Sequence, residues 1–295
     1  MKKKLISLVL ALVMIVSMTA CGSTNDSGSA ESASATSEDA TVEDTTPVEL
    51  HVSAAASMQE SLDEVIAAYT AEHSNVTIVP TYDSSGTLLT QIQSGADCDI
   101  FISAAQKQMN AIDETATEGY EGTNYVEQGT RVDLLQNKCA LVVSPTTTKT
   151  LSSWSDFETA IKAANSSSDL IFAMGNSDVP VGQYTSAILT NLGLNESDMV
   201  SKGIISYGSN VKEVTSQVTS GAADCGIVYA TDAYSAGLDV VDTASDELTG
   251  KPVIYPAAVM SNSANADAAK AFLEYLQGDD AMKVFEKVGF TRVEA

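Results

Sequence analysis

Val48-Glu49-Leu50-His51-Val52-Ser53-Ala54-Ala55-Ala56-Ser57-Met58-Gln59-Glu60-Ser61-Leu62 is the stretch on which the fold turns. A β-type run ends in three alanines and a serine, and the apolar rhythm then changes. Leu62, Val65, Ile66 and Tyr69 recur at helical spacing, so 48–53 reads as a strand and 57–71 as a helix. Ser57 and Glu60 have the spacing of a capping box, which makes Ser57 the expected N-cap.

The same unit repeats along the chain. Strands are expected at 76–82, 99–103, 140–143, 170–174, 204–207, 227–229, 238–241 and 253–260. Helices are expected around Leu88, Leu89 and Ile92 and at 154–164, 181–192, 211–220, 266–276 and 279–287. Alternating strands and helices imply parallel sheets with helices on their faces. Ligands of such folds sit beyond the carboxyl ends of the strands, next to helix N-termini.

Four strand-to-helix junctions share a chemistry of small residues and hydroxyls: Ala54-Ala55-Ala56-Ser57, Asp83-Ser84-Ser85-Gly86-Thr87, Asp178-Val179-Pro180-Val181-Gly182 and Gly208-Ser209-Asn210-Val211. Asn210 and Glu213 form a second capping-box pattern. A fifth element, Gly226-Ile227-Val228-Tyr229, ends a strand on a phenol. A helix N-terminus presents unpaired N–H groups and about half a positive charge. Several converging on one point hold an anion without a cation. One serine at a helix start is ordinarily only a cap, and Tyr229 alone is ordinarily a core-edge aromatic; the set carries the argument.

The amino end has its own pattern. Lys2, Lys3 and Lys4 precede an apolar run, 5–16, of signal-peptide length and too short to span a membrane. Met18-Thr19-Ala20-Cys21-Gly22 resembles the bacterial lipobox, with Cys21 as the lipidated residue. The expected order is a signal peptide at 1–20 and then a lipidated Cys21 opening a disordered tether over 21–47. The segment 22–47 has no aromatic residue, Lys or Arg and cannot build a core. The expected location is the cell membrane, anchored by lipid and facing outside the cytoplasm.

Composition excludes several classes. The chain carries 15 Lys and Arg against 39 Asp and Glu, a net charge of −24, which argues against nucleic acid. Two histidines, His51 and His73, lie in a strand and at a helix end. No Gly-x-Ser-x-Gly elbow, His-Glu-x-x-His pair or Walker loop is present, so no enzyme is expected. Cys98, Cys139 and Cys225 adjoin apolar strands and read as buried free thiols, with a disulfide between two of them as the alternative.

Taken in order, Ala54-Ala55-Ala56-Ser57-Met58, Ser84-Ser85-Gly86-Thr87-Leu88, Asp99-Ile100-Phe101-Ile102-Ser103-Ala104, Val179-Pro180-Val181-Gly182-Gln183-Tyr184, Gly226-Ile227-Val228-Tyr229 and Gly289-Phe290-Thr291 resemble the molybdate-binding proteins of ABC transporters. These are class II periplasmic-type binding proteins. The resemblance implies an α/β, two-lobed fold with a central mixed sheet in each lobe and a hinge of two crossover strands. Lobe 1 would be 48–138 plus 255–295, lobe 2 would be 139–254, and the crossings would lie near 138–141 and 254–257. It places the ligand donors on Ser57, Ser85, Val181, Val211 and Tyr229, and implies molybdate or tungstate bound as an oxyanion, with no cofactor and no directly coordinated metal cation. The implied partners are an ABC permease with a separate ATPase, and the membrane through Cys21; the implied state is a monomer. Composition leaves sulfate or phosphate open, because Asp83 and Asp178 lie beside the motifs and a protonated phosphate invites an acceptor. An organic acid ordinarily demands an arginine, and the two in the chain, Arg131 and Arg292, lie outside these segments.

Overall fold

The computed structural model of the chain describes residues 46–293; the expectations for the signal segment, Cys21 and most of the tether lie outside them. The chain begins with β1 (Val48–Ala55), α1 (Gln59–Glu72), β2 (Val76–Asp83), α2 (Ser85–Gln93), β3 (Ile100–Ile102), α3 (Gln106–Ile112) and β4 (Val132–Asn137). It continues through β5 (Cys139–Val143), α4 (Trp154–Ala163), β6 (Phe172–Gly175), α5 (Pro180–Asn191), α6 (Glu196–Ser201), β7 (Ile205–Gly208), α7 (Val211–Thr219) and β8 (Cys225–Tyr229). It closes with α8 (Ala230–Ala236), β9 (Val240–Thr243), α9 (Asp246–Thr249), β10 (Val253–Val259), α10 (Ala266–Gln277), α11 (Asp279–Val288) and β11 (Thr291–Arg292).

Two mixed sheets result, one for each lobe. The first has the order β11-β4-β10-β3-β1-β2 and the second β7-β6-β8-β5-β9. Within them β1 is parallel to β2 and β3, and β6 to β7 and β8, as strand–helix alternation predicts. The other pairings are antiparallel and were not legible from alternation: β10 with β3 and β4, β11 with β4, and β5 with β8 and β9. The chain passes from the first sheet to the second at Lys138, between β4 and β5. It returns before Val253, because β10 already pairs with β4 there through Asn137; the stretch 254–257 lies inside β10. The β10–β4 register shifts between Tyr255 and Pro256. Such a shift re-aims side chains, and proline is tolerated in a sheet at such places.

The apolar faces of both sheets are filled by residues such as Leu50, Val52, Ile102, Leu141, Phe172 and Phe272, all buried. Cys98, Cys139 and Cys225 are buried and free, so no disulfide joins them. Register explains one pair: Cys225 stands opposite Val143 and Cys139 opposite Tyr229, four ladder positions apart. Burial pushes the Cys98 thiol up to about 11 and raises the other two as well. Among the described residues no helix is long and apolar enough to cross a membrane.

Candidate functional site

The carboxyl ends of β1, β2 and β8 and the N-termini of α2, α5 and α7 meet around one cavity. Its wall is Ala55, Ala56, Ser57, Asp83, Ser84, Ser85, Ala104, Val179, Pro180, Val181, Val211 and Tyr229, around a cavity of only about 10 Å³. All five residues expected as donors, Ser57, Ser85, Val181, Val211 and Tyr229, are therefore brought together. Pockets for drug-sized molecules begin at roughly 300 Å³, and about 10 Å³ is on the scale of one water-sized sphere, so this wall encloses no large organic ligand. A wider groove beside Arg131 opens to solvent, and its guanidinium is already engaged by Asp113, Gln106 and Asn110.

The first sheet contributes hydroxyls. Ser84 is the N-cap of α2, its side chain accepting from the Thr87 amide. Ser85 follows as the first helical residue, and its Oγ accepts the Ala104 N–H at 2.9 Å. Ser57 departs from the sequence reading. Residues Ala56–Met58 form a 3₁₀ turn ahead of α1, and neither that turn nor α1 has a side-chain cap. The Ser57 hydroxyl lies 2.8 Å from the Tyr255 hydroxyl, and Glu60 reaches Lys212 Nζ at 2.6 Å instead of closing a capping box.

The second sheet contributes helix ends and a phenol. Helix α5 starts after Val179 with no side-chain cap and with Pro180 in its first turn. Proline has no N–H to offer, so Val181 carries one of the amides left unpaired at that end. Gly182 allows the close approach behind it: a Cβ there would stand 2.1 Å from the Asn176 carbonyl oxygen. At α7 the Asn210 side chain caps the Glu213 amide, as the spacing suggested, which leaves the Val211 amide uncapped by it. Glu213 bonds to the Ser209 amide at 2.7 Å, so the reciprocal half of that box is shifted by one residue. Tyr229 is 1 % exposed, and its hydroxyl has no hydrogen-bond partner among the described residues. Burial holds that phenol well above its ordinary pKa, so it stays a neutral donor.

Among the described residues no Lys, Arg or His lines the cavity, and the one acid in its wall is Asp83. Asp83 Oδ1 accepts from the Ser84 amide at 2.7 Å and from Asn210 Nδ2, on the opposite wall, at 3.3 Å. Lys212, next to Val211, is held between Glu60 and Asp232, the latter at 3.3 Å. Burial pushes Asp232 up to about 7, against the lowering influence of Lys212.

The site can accept hydrogen-bond acceptors; it holds no nucleophile–base pair. His51 lies beside Glu49 at 3.3 Å, and the His73 ring stacks on Tyr69 at 4.1 Å, both in structural roles. No group of three or more His, Cys, Asp or Glu side chains is arranged to hold a metal ion among the described residues. Sequence reasoning missed Tyr255 and Asn137 behind the wall and Ala104 within it. Tyr255 carries no local signal, being one aromatic in an apolar strand.

Comparison with known proteins agrees with this architecture. Residues 50–291 match the family described as bacterial extracellular solute-binding protein. A Bacillus subtilis protein provisionally named ABC transporter substrate-binding lipoprotein YvgL is 33 % identical over 99 % of this chain and 99 % of its own. The molybdate-binding protein ModA of Escherichia coli is 32 % identical over 82 % of this chain and 89 % of its own. The solved substrate-binding domain of a provisionally assigned molybdenum ABC transporter from Clostridium difficile is 36 % identical. It has a TM-score of 0.61 and covers 84 % of this chain and 100 % of that one. The matched family is one of solute-binding proteins. This chain, with its two mixed sheets closing on one donor-lined cavity, belongs to the bacterial extracellular solute-binding proteins.

Proposed function

We propose that the chain captures molybdate or tungstate between its two lobes and delivers it to the permease of an ABC transporter. Lobe 1 is 48–138 with the stretch from Val253 onward and lobe 2 is 139–252, a boundary two residues earlier than expected because Val253 and Ile254 already pair with β4, and closure over the ion is a hinge motion. Cys21 carries the lipid that keeps the monomer at the outer face of the cell membrane. The observation that supports this reading best is the Tyr229 hydroxyl, buried and unpartnered in a small cavity that has no cationic side chain. A buried hydroxyl without a partner costs about 1–3 kcal/mol, and an anion bound there removes that cost. Molybdate is a dianion with four acceptor oxygens and no proton of its own, which matches a wall of hydroxyl and amide donors. The likeness to molybdate-binding relatives points the same way.

A second reading rests on Asp83, whose carboxylate is part of the wall. An acceptor there suits hydrogenphosphate, which brings a proton. Calorimetric titration of the purified chain with molybdate, tungstate, sulfate and phosphate separates the two. Molybdate and tungstate bind far more tightly than sulfate or phosphate; phosphate binding as tight as molybdate would overturn the first reading and favour the second.

A further inference from the structure

We propose that Asn137 and Tyr255 form a positioning relay that holds the Ser57 hydroxyl proton toward the cavity, an inference that rests on reading the cavity as an oxyanion site. The direction of the relay follows from one backbone contact. Asn137 Oδ1 accepts the Lys138 N–H at 2.8 Å, which fixes the orientation of the side-chain amide. Its Nδ2 then lies 2.9 Å from Thr231 Oγ1 and 3.2 Å from the Tyr255 hydroxyl oxygen. An amide nitrogen has only protons to give, so the Tyr255 oxygen accepts. Tyr255 is wholly buried and has one proton of its own, and its other hydrogen-bond partner is Ser57 Oγ at 2.8 Å. The phenol therefore donates to Ser57, and the Ser57 proton is left for the cavity.

Ser85 is oriented in the same sense by a different group, since the Ala104 amide donates to its Oγ at 2.9 Å. Both serines thus turn protons, not lone pairs, toward the occupant. The Tyr255 ring cannot swing out of line. It packs edge-on between Tyr229, with centroids 5.8 Å apart, and Phe290, 5.1 Å apart, next to the register shift at Pro256. Asn137 is the last residue of β4, at the passage between the sheets, and Thr231 lies in α8 just after Tyr229. The relay is therefore itself held to the second half, through the bond from the Asn137 amide that orders it to Thr231 Oγ1. Its consequence is selectivity: a site that shows protons at both serines favours an oxyanion without a proton over one that carries a proton to donate.

The test is a double-mutant cycle in the full-length chain, read by titration with molybdate and by competition with inorganic phosphate. Tyr255→Phe weakens molybdate binding about tenfold, because the Ser57 donor to a charged acceptor is no longer held in order. In a Ser57→Ala background the same change has an effect of less than about twofold, because Tyr255 acts through Ser57. Equal losses in both backgrounds, or no loss in either, would overturn the relay. Asn137→Asp supplies an independent arm if the phenylalanine variant does not fold. A carboxylate accepts a hydrogen bond from the phenol O–H, so the phenol oxygen accepts from Ser57 and a Ser57 lone pair turns to the cavity. At mildly alkaline pH, where phosphate is a dianion like molybdate, the added charge repels both ions alike. The preference for molybdate over phosphate then falls at least about fivefold relative to the unaltered chain; an unchanged preference refutes the relay. Failure of the unaltered chain to bind molybdate tightly would instead refute the functional reading beneath it.

Discussion

The two walls of the cavity are built by different means. On the first sheet the expected donors are side chains, Ser57 and Ser85, and each serine oxygen has a hydrogen-bond partner behind it, Tyr255 and the Ala104 amide. On the second sheet they are main-chain amides at the starts of α5 and α7, together with the Tyr229 hydroxyl, which has no partner. The first wall depends on residue identity and on a second layer of bonds. The second depends on where helices begin, and most side chains there are replaceable as long as the backbone stays put. The same helix-end physics thus yields one wall that point mutations can take apart and one that they mostly cannot.

Breaking the first wall has the largest expected effect. Ser57→Ala and Ser85→Ala each weaken molybdate binding by about 1.5–3 kcal/mol, the range for a hydrogen bond to a charged group. Both also cost stability. Ser85→Ala strands the buried Ala104 amide and Ser57→Ala strands the buried Tyr255 phenol proton, so each lowers unfolding stability by about 1–3 kcal/mol. Titration and denaturant unfolding of both variants check this. A smaller effect is expected at Tyr229, the one side-chain donor of the second wall. Tyr229→Phe costs about 1.5 kcal/mol of binding. It leaves the melting temperature of the unliganded chain unchanged or higher, because the hydroxyl has no internal bond to lose. The smallest effect on binding sharpens the contrast. Val181 is fully buried, so Val181→Ala removes two packed methyl groups and about 1.5 kcal/mol of stability. Its amide remains, and molybdate affinity stays within about twofold. If Val181→Ala weakens binding as much as Ser57→Ala, the amide assignment is wrong.

Legibility followed the same divide. Strand–helix alternation with strong apolar spacing, as in β1 and α1 or β7 and α7, was visible in the sequence because local pattern and tertiary role agree there. The short helix α3 and the strand β4, which ends the long irregular stretch after α3, were not, since neither has a long periodic face. Missing β4 hid the antiparallel half of the first sheet. The five positions expected as donors line one cavity, yet the helix cap expected at Ser57 is absent. The Ser-x-x-Glu spacing is identical whether the hydroxyl caps a helix or turns away, and a tyrosine 198 positions along the chain took it. Nothing local encodes that contact. The cap at Asn210 was read correctly because the donor it satisfies lies only three residues on.

Gly86 gives one last consequence. It opens α2 just after Ser85, and a Cβ placed on it would stand 2.3 Å from the carbonyl oxygen of Asp178, which belongs to the loop leading into α5. Backbone meets backbone there, with no side chain left to yield. Position 86 is therefore a built-in gauge block: the residue that occupies it limits how closely α2 and the loop before α5 approach. A series from glycine through alanine to valine would act as wedges of increasing thickness, pushing the Ser85 and Val181 segments apart and shortening the dwell time of a bound ion step by step. An engineer wanting a sensor that lets go quickly would start at this glycine rather than at the residues that hold the ion.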